Sequence, residues 1–388
     1  MNTRIKNVIS VAMLVMLMTV STGFGDLPVV PGYSVEVYVN LTTPVTFCFA
    51  PDGVMYVGNR DPSSEYNRAY RVEPGGSWSY YGPPLWKAGT VGYDRDGLIS
   101  GTAGSLLAAG GTHFTAILPP GDTAKLLWTG PFGNLNDIAF DSTGRMLLVD
   151  VTNRNVYWND EGTLKVLLTA PLQDCKCMAI DRDDNIFISM GHYDDARILA
   201  YDSTGNPIGA PILHGQISTE GPIPITFGKG GVWGYSLYVL VNHVLMRFDS
   251  PLDSPDSFTT IGTGFSKICY QYMQFGPDGA LYVSTSLEHR IFRIAPMNPV
   301  DLLEDLVLLV ITVNENNDIT NSSLEAKLNA ALNTLDDLNE NNNVAAINTL
   351  GNFIKAVENQ LDKGDISPED AQDLIDAAQD IIDLLTNG

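Results

Sequence analysis

The chain has 388 residues, of which 44% are hydrophobic and only 17% charged, so it can hold more than one domain and is too apolar to be disordered. A net charge of −23 opposes binding of nucleic-acid phosphates, and no nucleic-acid partner is expected. The charge is uneven: from Asn298 onward there are eighteen acidic and three basic residues, which marks a separate module.

The first 25 residues read as a secretory signal peptide. Arg4 and Lys6 open it, Val8 to Val20 is an apolar run short of a comfortable membrane span, and Ser21-Thr22-Gly23-Phe24-Gly25 offers small residues for cleavage. An uncleaved anchor helix is the competing reading. No later run reaches spanning length, so the expectation is a secreted or extracytoplasmic mature chain without a stable membrane span.

Residues 26–297 carry a repeat. An apolar anchor precedes a tight turn at Phe49, Tyr93, Phe140, Ile180, Phe227 and Phe275, at intervals of 44, 47, 40, 47 and 48 residues. Phe275-Gly276-Pro277-Asp278-Gly279-Ala280-Leu281-Tyr282-Val283-Ser284 shows the unit most clearly: strand, Pro-Asp-Gly reversal, strand. Third strands follow, as in Ile291-Phe292-Arg293-Ile294, and fourth ones, as in Lys165-Val166-Leu167-Leu168. Four strands in about 45 residues is the period of a β-propeller blade, and six units predict a mainly β, six-bladed propeller. A sandwich or solenoid is the competing architecture. Tyr33 to Tyr38 is a strand with no unit of its own, and it is expected to pair into the last blade and close the ring. Pro31-Gly32-Tyr33-Ser34-Val35-Glu36-Val37 followed by Phe49-Ala50-Pro51-Asp52-Gly53-Val54-Met55-Tyr56-Val57 resembles the opening of secreted propellers with NHL-type repeats.

Residues 298–388 change to a period of 3.6. Apolar residues space four helices, through Leu303 and Leu306, Leu324 and Leu328, Leu350 and Phe353, and Leu374 and Ile381, which predicts a small all-α helical bundle. Ser322-Ser323-Leu324-Glu325 reads as a capping box, and Ser367-Pro368 as an N-cap with Pro at the first helical position. Asn321 to Leu328, Ala345-Ala346-Ile347-Asn348, Phe353-Ile354 and Ala377 to Ile382 resemble the FIMAH-type module at the ends of many secreted bacterial proteins, which implies an accessory role. Asp362-Lys363-Gly364-Asp365-Ile366 has some calcium-loop character. Placing Gly364 sixth, however, puts Leu361 and Lys363 at ligand positions, so a solvated turn is the simpler reading.

Four cysteines, Cys48, Cys175, Cys177 and Cys269, permit three full pairings in an oxidising compartment, and buried thiols are an equally natural fate. Cys175 and Cys177 alone are too few ligands to suggest zinc.

In a propeller the loops after second strands and before first strands gather at one mouth. The ligand-binding candidates there are Arg60, Asn136, Asp150, Asn153, His192, Asp194, His243, Tyr272 and His289. The expected function is recognition of a glycan, peptide or protein partner at this mouth by a monomer, with catalysis left open. Two enzymatic alternatives use the same residues. Asn136-Asp137-Ile138 through Gly144-Arg145 resembles a blade of gluconolactonase-like propellers, which implies a divalent cation such as Ca2+ held by Asn136 and Asp150 and polarising a lactone carbonyl. The opening Gly-Glu pair of that family is missing here. A lyase would use His192, His243 and His289. Trp78, Tyr80, Tyr81, Trp86, Trp128 and Trp233 could stack on sugars, although blade packing accounts for most such rings.

Overall fold

The computed structural model describes residues 27–86, 89–130, 132–160, 162–171, 176–190, 197–213, 223–265, 271–316, 323–335 and 342–387. The proposed signal peptide, Cys175, Cys269, His192 and Asp194 lie outside the described residues.

Six four-stranded antiparallel sheets follow one another. Blade 1 is β2 to β5 (Pro44–Phe49, Met55–Asn59, Tyr66–Val72, Trp78–Trp86) and blade 2 is β6 to β9 (Thr90–Asp94, Ser105–Gly110, His113–Leu118, Thr123–Thr129). Blade 3 is β10 to β13 (Leu135–Phe140, Met146–Asp150, Asn155–Asp160, Thr163–Thr169) and blade 4 is β14 to β17 (Cys177–Ile180, Ile186–Met190, Arg197–Tyr201, Pro207–Ile212). Blade 5 is β18 to β21 (Ile225–Phe227, Leu237–Val241, Val244–Phe248, Thr259–Thr263). Blade 6 takes β22 to β24 (Gln271–Phe275, Leu281–Thr285, Arg290–Pro296) from the end of the repeat and β1 (Tyr33–Asn40) from its start. Each anchor residue therefore lies in the first strand of its blade, and the strand without a unit closes the ring, with Val35 opposite Ile294 and Asn40 opposite Arg290.

Second strands are buried along their whole length, because both faces meet neighbouring blades. Fourth strands are far more exposed, as in Thr163–Thr169. The turns after first strands contain an aspartate in every blade but the fifth. Asp141 Oδ1 accepts from Thr143 N (3.0 Å) and Arg145 N (3.0 Å), and Oδ2 from Arg145 Nε (2.7 Å). Those charge-assisted bonds hold the Asp141 carboxyl below the usual range although burial opposes them. At Asp278 the following Gly279 takes φ +78°, a conformation that a side chain would strain.

The tail forms α1 (Pro299–Asn316), α2 (Ser323–Leu335), α3 (Asn342–Lys363) and α4 (Pro368–Asn387). Its core is its own: Leu303, Leu306, Leu328, Leu350, Phe353, Leu374 and Ile381 form one cluster containing no propeller residue. Ser367 caps α4, with its Oγ accepting from Asp370 N (3.0 Å). At the end of α3, Gly364 N donates to Leu361 O and Asp365 N to Gln360 O, both at 2.9 Å, with Gly364 at φ +75°. This is a Schellman termination, so the stretch with calcium-loop character is a helix stop. No helix among the described residues is long and apolar enough to cross a membrane.

Ring closure gives a first prediction. Val39, in β1, is buried, whereas Val166, on the outer strand of blade 3, is half exposed. Val39→Asp should destabilise the propeller by about 3 kcal/mol or more, and Val166→Asp by no more than about 0.5 kcal/mol. Equal urea midpoints for the two variants would remove β1 from the closing role.

Candidate functional site

The position three residues before each anchor is occupied by Thr46, Thr90, Asp137, Cys177, Pro224 and Tyr272. These residues sit at the seams between blades. Thr46 Oγ1 donates to Gly89 O (3.1 Å) and accepts from Val91 N (2.9 Å), which ties blade 1 to blade 2. Thr90 Oγ1 donates to Leu135 O (3.4 Å), tying blade 2 to blade 3. Asp137 Oδ2 accepts from Met178 N (2.7 Å), tying blade 3 to blade 4. The Tyr272 ring meets the Phe47 ring of blade 1 edge to face at 5.3 Å.

Asn136 and Asp150, the two residues of the cation reading, are both engaged in the framework. Asn136 Nδ2 donates to Lys176 O in the next blade (2.9 Å). Asp150 is fully buried at the end of β11, where its carboxylate gathers the loop leading into the blade and the loop following β11. It accepts from Gly133 N (3.0 Å), Asn134 N (3.1 Å), Thr152 N (3.1 Å), Asn153 N (3.3 Å) and Asn153 Nδ2 (2.7 Å). A carboxylate accepting from four backbone N–H groups and one side-chain amide is occupied as a loop clasp requires. Asn153, read as a ligand contact, is one of those donors. Among the described residues, no group of three or more His, Cys, Asp and Glu comes together as a metal site.

Near the axis four blades contribute to one cluster. Asp137 is buried, with Oδ1 accepting from Ile138 N (2.8 Å), Oδ2 from Met178 N, and the Tyr272 hydroxyl as its side-chain partner. Blade 6, which carries Tyr272, lies opposite blade 3 in the ring. Burial pushes the Asp137 carboxyl up to about 7, more than these bonds lower it. Burial, then the charge of Asp137, raises the Tyr272 phenol well above its ordinary value. Cys48 and Cys177 are free, buried thiols whose ionisation burial also opposes, which keeps them poor nucleophiles at neutral pH.

The described histidines of the lyase reading sit apart from this cluster, on the hairpins after second strands. His289 Nδ1 accepts from Thr43 N (3.1 Å) and its carbonyl accepts from Leu41 N (2.7 Å), so it braces the seam between blades 6 and 1. His243 is half-buried in the β19–β20 hairpin, its Nδ1 enclosed without a hydrogen-bond partner. Arg60, half-buried after β3, bonds through its backbone N–H to Thr43 O (3.3 Å).

One concave feature of this rim was not singled out in the sequence. A cleft of about 400 Å³ lies between blades 1 and 2, lined by Tyr66, Pro84, Leu85, Trp86, Ala108, Gly110, His113 and Thr115. Of the six aromatic residues offered for stacking, Trp86 lines it. Tyr81 and Trp233 are buried, and Trp78 and Tyr80 project from the outer strand of blade 1.

Asp137 predicts a pH dependence. The folded chain holds this proton up to about pH 7, whereas an unfolded chain releases it near the ordinary value of 3.8. The contribution of Asp137 to stability is therefore complete below pH 3.8 and declines as pH rises to about 7. In Asp137→Asn this part of the slope should vanish while the baseline drops through loss of one backbone bond. Urea midpoints measured from pH 4 to 8 check it, and an unchanged slope would refute the assignment.

Residues 303–383 match the FIMAH domain model. The propeller is similar in fold to a luciferin-regenerating enzyme (TM-score 0.53, 12% identity, covering 69% of this chain and 96% of the other). It is also similar to regucalcin of Agrobacterium tumefaciens, described as a calcium-binding protein (TM-score 0.52, 12% identity, 69% and 96%). A Trichoderma reesei member of carbohydrate-active enzyme family AA12 shares the fold as well (TM-score 0.51, 12% identity, 72% and 100%). At such identities the likeness is one of fold. No curated protein matches the chain in sequence. The chain thus joins a six-bladed β-propeller to a C-terminal FIMAH domain at residues 303–383.

Proposed function

We propose that the chain is an exported recognition protein that binds a glycan, peptide or protein partner at the propeller rim, with the FIMAH domain as an accessory module. The observation that carries this reading is the employment of Asn136 and Asp150. A lactonase-like site needs carboxylate oxygens turned toward a cation, yet the Asp150 carboxylate accepts from five donors, and the Asn136 Nδ2 is tied to Lys176 O across a seam. The rim, by contrast, offers a cleft of ligand size. Export rests on the basic, apolar and small-residue order of the first 25 residues.

Two measurements on the mature full-length chain test the reading. Glycan and peptide arrays should give specific binding, and blank arrays would overturn it. Added Ca2+ should leave the melting temperature unchanged. A rise that Asn136→Ala abolishes would replace recognition with cation-dependent hydrolysis.

A further inference from the structure

We propose that the cleft between blades 1 and 2 binds an uncharged pyranoside, with the Trp86 and Tyr66 rings as the stacking surface. This deepens the recognition reading and rests on it. The cleft owes its space to a mismatch of side-chain sizes across one seam. On the blade 1 side, Tyr66 and Trp86 are directly paired across β4 and β5, so their side chains leave the sheet on the same face. On the blade 2 side, Ala108 pairs with Thr115 and Gly110 with His113, again on one face. Ala108 and Gly110 are too small to fill the seam that large residues fill elsewhere, and the gap remains open at the rim.

The Trp86 ring is held in place. It meets the His113 ring edge-on at 5.4 Å, and it lies over Gly111, where an added Cβ would come within 2.1 Å of the indole. Gly111 also takes φ +55°, so backbone and ring both require glycine here. Tyr66 remains 61% exposed beside it, a large aromatic surface that the fold itself does not cover.

The chemistry of the lining selects the ligand. None of the eight described lining residues carries a carboxylate, ammonium or guanidinium group, so among the described residues no charge compensates a charged ligand. The lining includes the aromatic rings of Tyr66 and Trp86, the hydroxyl-bearing Tyr66 and Thr115 and the imidazole of His113. Flat apolar faces bordered by hydroxyl-bonding groups complement a pyranose, whose C–H face is apolar and whose edge is hydroxylated. A quaternary ammonium ligand would gain from the same rings but would normally seek an acidic partner, and none of the described residues lining the cleft is acidic.

The test is calorimetric titration of the mature full-length chain with neutral gluco-, manno-, galacto- and N-acetylglucosamine oligosaccharides. One of them should bind, and Trp86→Ala and Tyr66→Ala should each weaken it about tenfold or more. Ala108→Leu, which fills the gap from the other side, should abolish binding. Because Tyr66 is mostly exposed, its variant keeps the fold even if another fails to fold. Trp78→Ala, which removes an exposed ring elsewhere on blade 1, should leave the affinity unchanged. Saccharide binding insensitive to Tyr66→Ala and Ala108→Leu would overturn the cleft assignment and leave recognition intact. Peptide binding that depends on Trp86, with no saccharide binding, would overturn the ligand class. No binding to saccharides or to the arrays would remove both proposals.

Discussion

A ring of six sheets, each made from one continuous stretch, would be held at its first-to-last junction by side-chain packing alone. Here β1 runs antiparallel to β24, and Ser34 Oγ reaches Ala295 O across 261 positions of sequence. Bringing such distant segments together costs about 5 kcal/mol of chain entropy beyond a constant, because the cost grows only with the logarithm of loop length. The ladder offsets that cost together with burial of Val30, Val39 and Leu41, each contributing about 2 kcal/mol. Once closed, the ring fixes where every rim loop points, so loops from distant repeats become neighbours without contacts of their own.

Closure also explains why polar residues in the first strands are a poor guide to chemistry. Near the axis, backbone groups of adjacent blades approach without forming a continuous sheet, and buried N–H and C=O groups need partners. Thr46, Thr90, Asn136 and Asp137 supply them. An Asn or Asp placed to satisfy a neighbouring blade carries the same oxygens as one placed to hold a cation, and only the direction of the oxygens separates the two uses. Asp150 makes the same point at the rim: its depth in the structure, which suits a ligand-binding acid, also suits a clasp for two loops.

The fold was largely legible in the sequence because the repeat states the same physics six times. The tight turns, the mainly apolar second strands and the unpaired Tyr33 to Tyr38 segment together leave few other ways to bury both faces of each sheet. The tail was legible for a different reason: the 3.6-residue spacing and the Ser367 cap are local signals. The site was less legible. Asp137 and Tyr272 share a register, three residues before Phe140 and Phe275, and comparing that position across repeats would have marked both as seam residues. That Tyr272 reaches Asp137 in the opposite blade depends on the diameter of the ring, which no local pattern encodes. The cleft was hidden for a related reason, since Ala108 and Gly110 are informative only once Trp86 is known to face them.

The two modules divide the structural work cleanly. The helical cluster contains no propeller residue, and the propeller clusters contain no helical one. Between β24 and α1 only Met297 and Asn298 intervene, and Asn298 Oδ1 accepts from Val300 N (3.1 Å) to start the helix. Separate cores joined by a short connection allow each module to keep its stability while the other is engaged, because neither borrows apolar burial from its neighbour. The charge follows the same division. Carboxylates crowd α4 closely enough that Asp373, raised first by burial, is raised further by Glu369, Asp370 and Asp376. Such a surface is unfavourable for polyanions, whereas the described residues lining the rim cleft carry no carboxylate, ammonium or guanidinium group.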